Sequence, residues 1–554
     1  MISTQKWKTR LSDEMIRRYS ASKQWTNTSL VKSMRQCCQQ FPDRTAVVDG
    51  VHTLTFAQVF ERAQHLASSL QQAGLTPGDV ISFQLPNWHE AIEINIAACL
   101  CGLIVNPIIP IYRDSEVRFI LRDARAKLIF VPETFRGFSY LEMMDRIHED
   151  LPDLQAVVVV RPEISVGSSY EMLISAGSET PLKENELDPN DIKLLLYTSG
   201  TTGDPKGVLH SHNTLRSDID SMIRFRGLTK DDIALMPSPV THITGYLYAL
   251  ELPFVLGMTV VLMDKWKSAE AVRLMQEHRV TVSNGATPFL AEIVAELERT
   301  NQQLPLLRMY ATGGAPVPPE LVRRALRLLP NCRIFRAYGC SEAPTVSAGL
   351  ASGDPIELGI ETDGLIYNHE VKIIDPDTRE QLGINCSGEI LTRGPEVMIG
   401  YTNPVHTEAS FDEEGFFRTG DLGFINEKGY ITITGRIKDL IIRGGENLSP
   451  KEIEDVLYQH PSVKDVAVVP MPHPRMGETP CACIVLKEGA TLGFDEMCSF
   501  LESAKLAKQK FPERLMLFSE LPRNAAGKIL KQELKKVVAD AYHAEQAASA
   551  EAKT

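Results

Sequence analysis

Two hydrophobic periods alternate along this chain. Residues 53–74, TLTFAQVFERAQHLASSLQQAG, carry apolar positions at helical spacing and end in Gly74, which predicts an amphipathic helix. Residues 79–85, 127–131, 154–160 and 192–197 (DVISFQL, KLIFV, LQAVVVV and IKLLLY) are short apolar runs. Runs of that kind are strands buried on both faces. Because helical and strand segments alternate, α/β layers with largely parallel sheets are expected. From about residue 365 to 435 the texture changes to short alternating strands between Gly, Asp and Asn turns, as in GEILTRG and GYITITGR. That pattern predicts a small antiparallel sheet or barrel. An α/β pattern resumes after Gly435. There SPKEIEDVLYQHP reads as a helix capped by Ser449, opened by Pro450 and boxed by Glu452. The expected fold class is therefore α/β. A large N-terminal domain, residues 1–435, holds two α/β layered subdomains plus a small β-barrel. A small mobile α+β domain, residues 436–554, follows.

Length and charge narrow the function. With 554 residues the chain exceeds what one hydrophobic core supports. A formal net charge of -13 sets it against nucleic acids and anionic lipid. The first twenty residues have no apolar core, and Asp13 and Glu14 oppose a mitochondrial presequence. Residues 245–263 are the most apolar stretch, but Glu251, Pro253 and Gly257 interrupt it. They read as a buried helix, turn and strand, so no transmembrane segment is expected and cytoplasm is the default location. The ten cysteines form no Cys-x-x-Cys, and His210 and His212 have no nearby Cys or carboxylate, so no structural zinc site is expected.

The densest chemical signal is residues 197–208, YTSGTTGDPKGV, where an apolar strand runs into hydroxyls, glycines and a lysine. Glycines let backbone N–H groups converge on phosphate oxygens. Thr198, Ser199, Thr201 and Thr202 add donors around Gly200 and Gly203, and Lys206 adds a charge. The order Gly-Lys-Ser/Thr of a Walker A loop is absent. Further strings follow in series: GGAPVP from Gly313, YGCSE from Tyr338, RTGD ending at Asp421, GRIKDLIIRGGENLSP from Gly435, and PRNAAGK ending at Lys528.

Taken together and in this order, the strings resemble the adenylate-forming superfamily of acyl-CoA synthetases, luciferases and adenylation domains. The texture is most similar to short- and medium-chain acyl-CoA synthetases and cyclohexanecarboxylate–CoA ligases. The resemblance spans about residues 45–535 and implies an AMP-forming acid–thiol ligase that uses ATP, Mg²⁺ and coenzyme A. A carboxylate is already ionised at neutral pH, so its attack on the α-phosphate needs positive charge and fixed donors rather than a base. By resemblance, Lys528 bridges carboxylate and phosphate, Glu342 holds Mg²⁺, and Thr198 and Ser341 meet phosphate. Gly314, Ala315, Pro316, Tyr338 and Gly339 surround the adenine, while Asp421 and Arg436 reach the ribose. His242 gates the acyl pocket, lined by Tyr246, Gly285, Ala286, Thr312 and Gly313. Ile243 stands where amino-acid-activating relatives carry an Asp, and the segments ITGYLYAL and NGATPFL hold no acid or base. An apolar monocarboxylate of short to medium size, linear or alicyclic, is expected. Gly444, Gly445 and Glu446 line the coenzyme A tunnel, and Lys438 is the hinge. A homodimer and a protein acetyltransferase acting on Lys528 are the protein partners the resemblance implies. Loading of a carrier-protein phosphopantetheine, a luciferase-like oxygenation and a nucleotide-binding regulator stay open at this point.

Overall fold

The computed structural model describes residues 6–163, 169–183, 186–198, 205–523 and 527–551. The apolar runs become two seven-stranded sheets. The first runs Arg333–Ala337, Met309–Gly313, Val282–Ala286, Ile233–Met236, Thr259–Leu262, Thr45–Asp49, His52–Thr55. Its strands are parallel except for the last pair. The second runs Gly400–Tyr401, Lys206–Ser211, Ile192–Thr198, Ile104–Pro107, Val80–Phe83, Ala126–Pro132, Ala156–Val160. It is antiparallel at the Lys206–Ser211 edge and parallel beyond.

One apolar core joins both sheets through the helices Leu30–Gln40, Phe56–Gln72, His89–Cys101 and His212–Arg226. Helix His89–Cys101 is buried at every position, and its buried polar side chains are paired, Glu90 with Arg161, Glu93 with Arg62 and Asn95 with Glu251. The stretch 245–263 is a π-helical turn Tyr246–Glu251, a helix Leu252–Leu256, a turn at Gly257 and a strand Thr259–Leu262. Among the described residues no helix is long and apolar enough to cross a membrane.

Two sequence expectations need correction. The β-rich segment is an open four-stranded antiparallel sheet, Glu370–Ile374, Gly388–Arg393, Phe417–Ile425, Ile431–Arg436, and not a closed barrel. Its remaining strand, Gly400–Tyr401, pairs with Lys206–Ser211 in the second large sheet, so too few strands are left to close. The capping box at Ser449 also does not form. The Ser449 hydroxyl donates instead to the Thr434 carbonyl at 2.6 Å, and Glu452 pairs with Lys510.

After Arg436 a short turn, Ile437–Asp439, leads into the last sheet, built on Val463–His473 and Gly477–Leu486. Helices Pro450–Leu457, Phe494–Ser503 and Lys531–Glu551 accompany it, with two core clusters of their own.

Candidate active site

Parallel strands of the first sheet end side by side, with Gly285 opposite Thr312, Ala286 opposite Gly313, and Gly313 opposite Ala337. Open α/β sheets place ligands at such carboxyl ends. Close approach dictates glycine here: a Cβ on Gly313 would lie 2.2 Å from the Ala337 carbonyl oxygen, and one on Gly339 2.0 Å from that of Pro344. Gly314 turns at φ +75° beside Ala315 and Pro316, and the Thr287 hydroxyl donates to the Ala315 carbonyl at 3.3 Å.

Thr198 and Lys206 face each other across the antiparallel strands that flank the phosphate loop. Ser199, Gly200, Thr201, Thr202 and Gly203, assigned to phosphate, lie outside the described residues. The Lys206 ammonium sits 5.6 Å from the Tyr401 ring centroid, and the Tyr401 hydroxyl donates to Glu342 Oε1 at 2.8 Å. Lys206 and Glu342 thus meet around one tyrosine. The loop carrying Glu342 is held twice: His210 Nε2–H donates to the Ser341 carbonyl at 2.8 Å, and Met398 N–H to the Glu342 carbonyl at 2.8 Å. Burial pushes His210 down to about 4, so its ring is neutral and serves as a strut. The Glu342 carboxylate offers only oxygen, which fits a hard cation such as Mg²⁺.

Asp421 and Arg436 are cross-strand partners. The Tyr338 hydroxyl donates to Asp421 Oδ2 at 2.7 Å, and Arg436 Nε to Oδ1 at 2.8 Å. A carboxylate accepts more than one donor per oxygen, so room is left for a ribose.

The C-terminal domain completes the cluster. Gly527 packs on the N-terminal domain, where an added Cβ would lie 3.1 Å from Pro288 Cγ. The adjacent Lys528 lies among Arg436, Asp421 and Lys438, and its charge is felt by His242. Burial first, then Arg436 and Lys438, pull the Lys528 ammonium down to about 8. Burial also holds His242, whose Nδ1 accepts from Thr244 N–H at 3.4 Å, down at about 4, with Lys528 acting in the same direction. Arg523 binds the Gly527 carbonyl, next to Lys528, and Asp465. In this pose Gly444, Gly445 and Glu446 form an exposed hairpin turn, with φ +59° and +90° at the two glycines. Lys438 occupies the turn between the domains.

A pH dependence follows from Lys528. Its ammonium is present below about pH 8 and lost above it. Acyl-adenylate formation is therefore expected to hold up to about pH 8 and to fall about tenfold per unit beyond. A Lys528→Arg variant, charged throughout that range, should lose the decline. A wild-type profile flat to pH 10 would contradict the assignment.

Sequence reasoning missed several residues. Tyr401 carries no motif, and His210 bears only on a zinc site that the sequence does not support. Tyr246, assigned to the acyl pocket, is fully buried. Its hydroxyl donates to Asn95 Oδ1 at 2.6 Å and also meets Lys193, which is fully buried and paired with Glu251. The segments bordering the pocket lack acids, but helix His212–Arg226 brings Asp218 against Tyr248. Asp49, His89 and Glu90 cluster like metal ligands, yet Arg161 binds both carboxylates and offsets part of their charge.

Comparison with known proteins identifies the family. The model for AMP-binding enzymes matches residues 34–402, and that for the AMP-binding enzyme C-terminal domain matches residues 452–528. A medium-chain fatty-acid–CoA ligase of Escherichia coli is 35% identical over 92% of this chain and 91% of its own. A 4-coumarate–CoA ligase of Narcissus pseudonarcissus is 32% identical over 90% and 92%. Among solved structures, ATP-bound MatB of Rhodopseudomonas palustris superposes with a TM-score of 0.83 at 26% identity, covering 93% of this chain and 100% of MatB. With two thirds of its length matched by one family model and residues 452–528 by the model for the family's C-terminal domain, the chain belongs to the AMP-binding enzyme family.

Proposed function

We propose that this chain activates short- to medium-chain monocarboxylates. The reaction is that of an AMP-forming acyl-CoA synthetase. ATP and a carboxylate give acyl-AMP and pyrophosphate, and the coenzyme A thiol then takes the acyl group as a thioester. ATP, Mg²⁺ and coenzyme A are its cofactors. The observation that carries the reading is Lys528, borne by one domain and set beside His242, Asp421 and Arg436 of the region before the hinge.

From that placement the roles follow. Lys528 offsets the repulsion between carboxylate and α-phosphate as the new P–O bond forms. Lys206, Thr198 and the loop after it hold the polyphosphate. Mg²⁺ at Glu342 would neutralise charge on the pyrophosphate leaving group. Tyr338, Asp421 and Arg436 fix the nucleoside. Neutral His242 separates the acyl group from the phosphates without adding charge. Thiolysis then needs the Gly444–Glu446 turn at the same place, with rotation absorbed near Lys438. Acetylation of Lys528 would remove its charge and silence the first step.

A panel of acids assayed for coenzyme A-dependent AMP formation tests the substrate class. Hexanoate and octanoate should exceed hexadecanoate and all common amino acids by about tenfold or more in kcat/KM. Cyclohexanecarboxylate tests whether the pocket admits a ring. An amino acid as best substrate, or a carrier protein preferred to coenzyme A, would overturn the reading.

A further inference from the structure

His242 stands at the end of the loop, residues 237–242, that leaves strand Ile233–Met236 of the first sheet. It is half-buried, and its N–H donates to the Pro239 carbonyl at 2.9 Å. One side chain holds the rest of that loop. Asn87 Nδ2 donates to the Met236 carbonyl at 3.3 Å and to the Ser238 carbonyl at 3.0 Å, and Asn87 Oδ1 accepts from Val240 N–H at 2.8 Å. A single amide thus satisfies two carbonyls and an N–H between Met236 and Val240. An amide carries two donors and an acceptor in one planar group, whereas an ionised aspartate of the same shape only accepts, and a leucine does neither.

Asn87 belongs to the other large sheet. It lies between strand Val80–Phe83 and helix His89–Cys101, and it is buried. Its neighbour Trp88 caps that helix, and the Arg161 guanidinium lies 4.4 Å from the Trp88 ring centroid. The loop of one sheet is therefore fastened to the frame of the other. Beyond His242 the chain is held from the same helix. Tyr246 N–H donates to the His242 carbonyl at 2.8 Å, and the Tyr246 hydroxyl ends on Asn95 of helix His89–Cys101 and on Lys193. Lys193 lies on strand Ile192–Thr198, which ends at the phosphate loop. A Cβ added to Gly245 would lie 2.1 Å from the Pro239 carbonyl oxygen, so the two sides of the gate segment pack without slack.

We propose that Asn87 is a positioning residue for adenylation: its amide sets the place of His242, and through His242 the place of the carboxylate that attacks ATP, while Asn87 itself touches no substrate. This rests on the acyl-CoA synthetase reading, in which His242 is the gate. Without the amide, the Met236 and Ser238 carbonyls and the Val240 N–H each lose a partner, and the loop must shift to find others. A shift of about 1 Å in a group that orients substrate costs about a hundredfold in rate. Lys193 is the poorer handle on the same frame, because its removal would strand Glu251 as an unpaired buried charge.

The test is a double-substitution cycle read by pyrophosphate release with octanoate. Asn87→Leu should lower kcat/KM for octanoate by about ten- to a hundredfold, while the KM for ATP stays near wild type. His242→Ala should lower kcat/KM as well. In the His242→Ala background, Asn87→Leu should cost about twofold or less, because a residue that acts through another adds nothing once that other is gone. Asn87→Asp keeps the shape and the acceptor but not the donors. It should repeat the pattern in weaker form, and it stands in should the leucine variant fail to fold. Losses that multiply in the double variant would mean that Asn87 supports the fold at large, and would overturn the proposal. Wild-type kinetics in both Asn87 variants would overturn it too. His242→Ala at wild-type activity would remove the gate and this inference, leaving the acyl-CoA synthetase reading in place. Wild-type protein that releases no pyrophosphate with octanoate or hexanoate would strike that reading itself, and this inference with it.

Discussion

Lys528→Ala should slow acyl-adenylate formation by about a hundred- to a thousandfold, the usual loss when one preorganised charge partner of a transition state is removed. It should leave thioester formation from supplied acyl-adenylate close to wild type. Lys528 lies among Arg436, Asp421 and Lys438, with His242 within reach of its charge. Thiolysis of a mixed anhydride already made involves no new phosphate bond, so the ammonium has no part in it. Separate assays, pyrophosphate release for the first step and thioester formation from synthetic acyl-adenylate for the second, resolve the two. Equal loss of both would indicate a folding defect or a single rigid site.

Gly445→Leu should do the reverse. Adenylation should stay near wild type, while transfer to coenzyme A should fall by at least about tenfold, some 1.4 kcal/mol of transition-state stabilisation. Gly445 is exposed in the pose that sets Lys528 beside Asp421 and Arg436, has φ +90°, and would set an added Cβ in open space. A leucine there strains the turn locally, by about 1–2 kcal/mol, without touching the cores beneath the sheet. It therefore cannot harm adenylation from where it stands. On the two-pose proposal it acts only when the domain turns and this hairpin meets the pantetheine arm. The bond from Ser449 to the Thr434 carbonyl crosses the boundary and would break in that rotation. Gly445→Ala should show the same separation in weaker form. Normal transfer by Gly445→Leu would mean that the hairpin stays away from the thiol.

The two variants rest on the part of the molecule most legible from the chain itself. Contiguous strings carry most of the nucleotide cluster: Tyr338 and Glu342 share one string, and Asp421 and Lys528 end two others. Their chemistry needs backbone curvature and charge at short range, which a short string can encode. The buried strands were legible for a similar reason, since an apolar run such as Ala126–Pro132 fits only a covered sheet. What stayed hidden arises where distant segments meet. Tyr401 reaches Glu342 only because Leu209 pairs with Gly400 across the second sheet. Asp218 meets Tyr248 only because helix and π-turn pack together. Ser449 has the local pattern of a helix cap, but the Thr434 carbonyl of another sheet competes for its hydroxyl and wins. The open four-stranded sheet reads as a barrel because local alternation says nothing about where the strand Gly400–Tyr401 finds its partner.

The most direct test of the central claim follows one oxygen atom. A carboxylate labelled with ¹⁸O in both positions is turned over with ATP, Mg²⁺ and coenzyme A, and the nucleotide product is weighed by mass spectrometry. If the carboxylate attacks the α-phosphate and the thiol then displaces AMP at the acyl carbon, one labelled oxygen must leave with each AMP, and pyrophosphate must carry none. ADP as product, with the label in inorganic phosphate, would place the attack on the γ-phosphate and contradict the account.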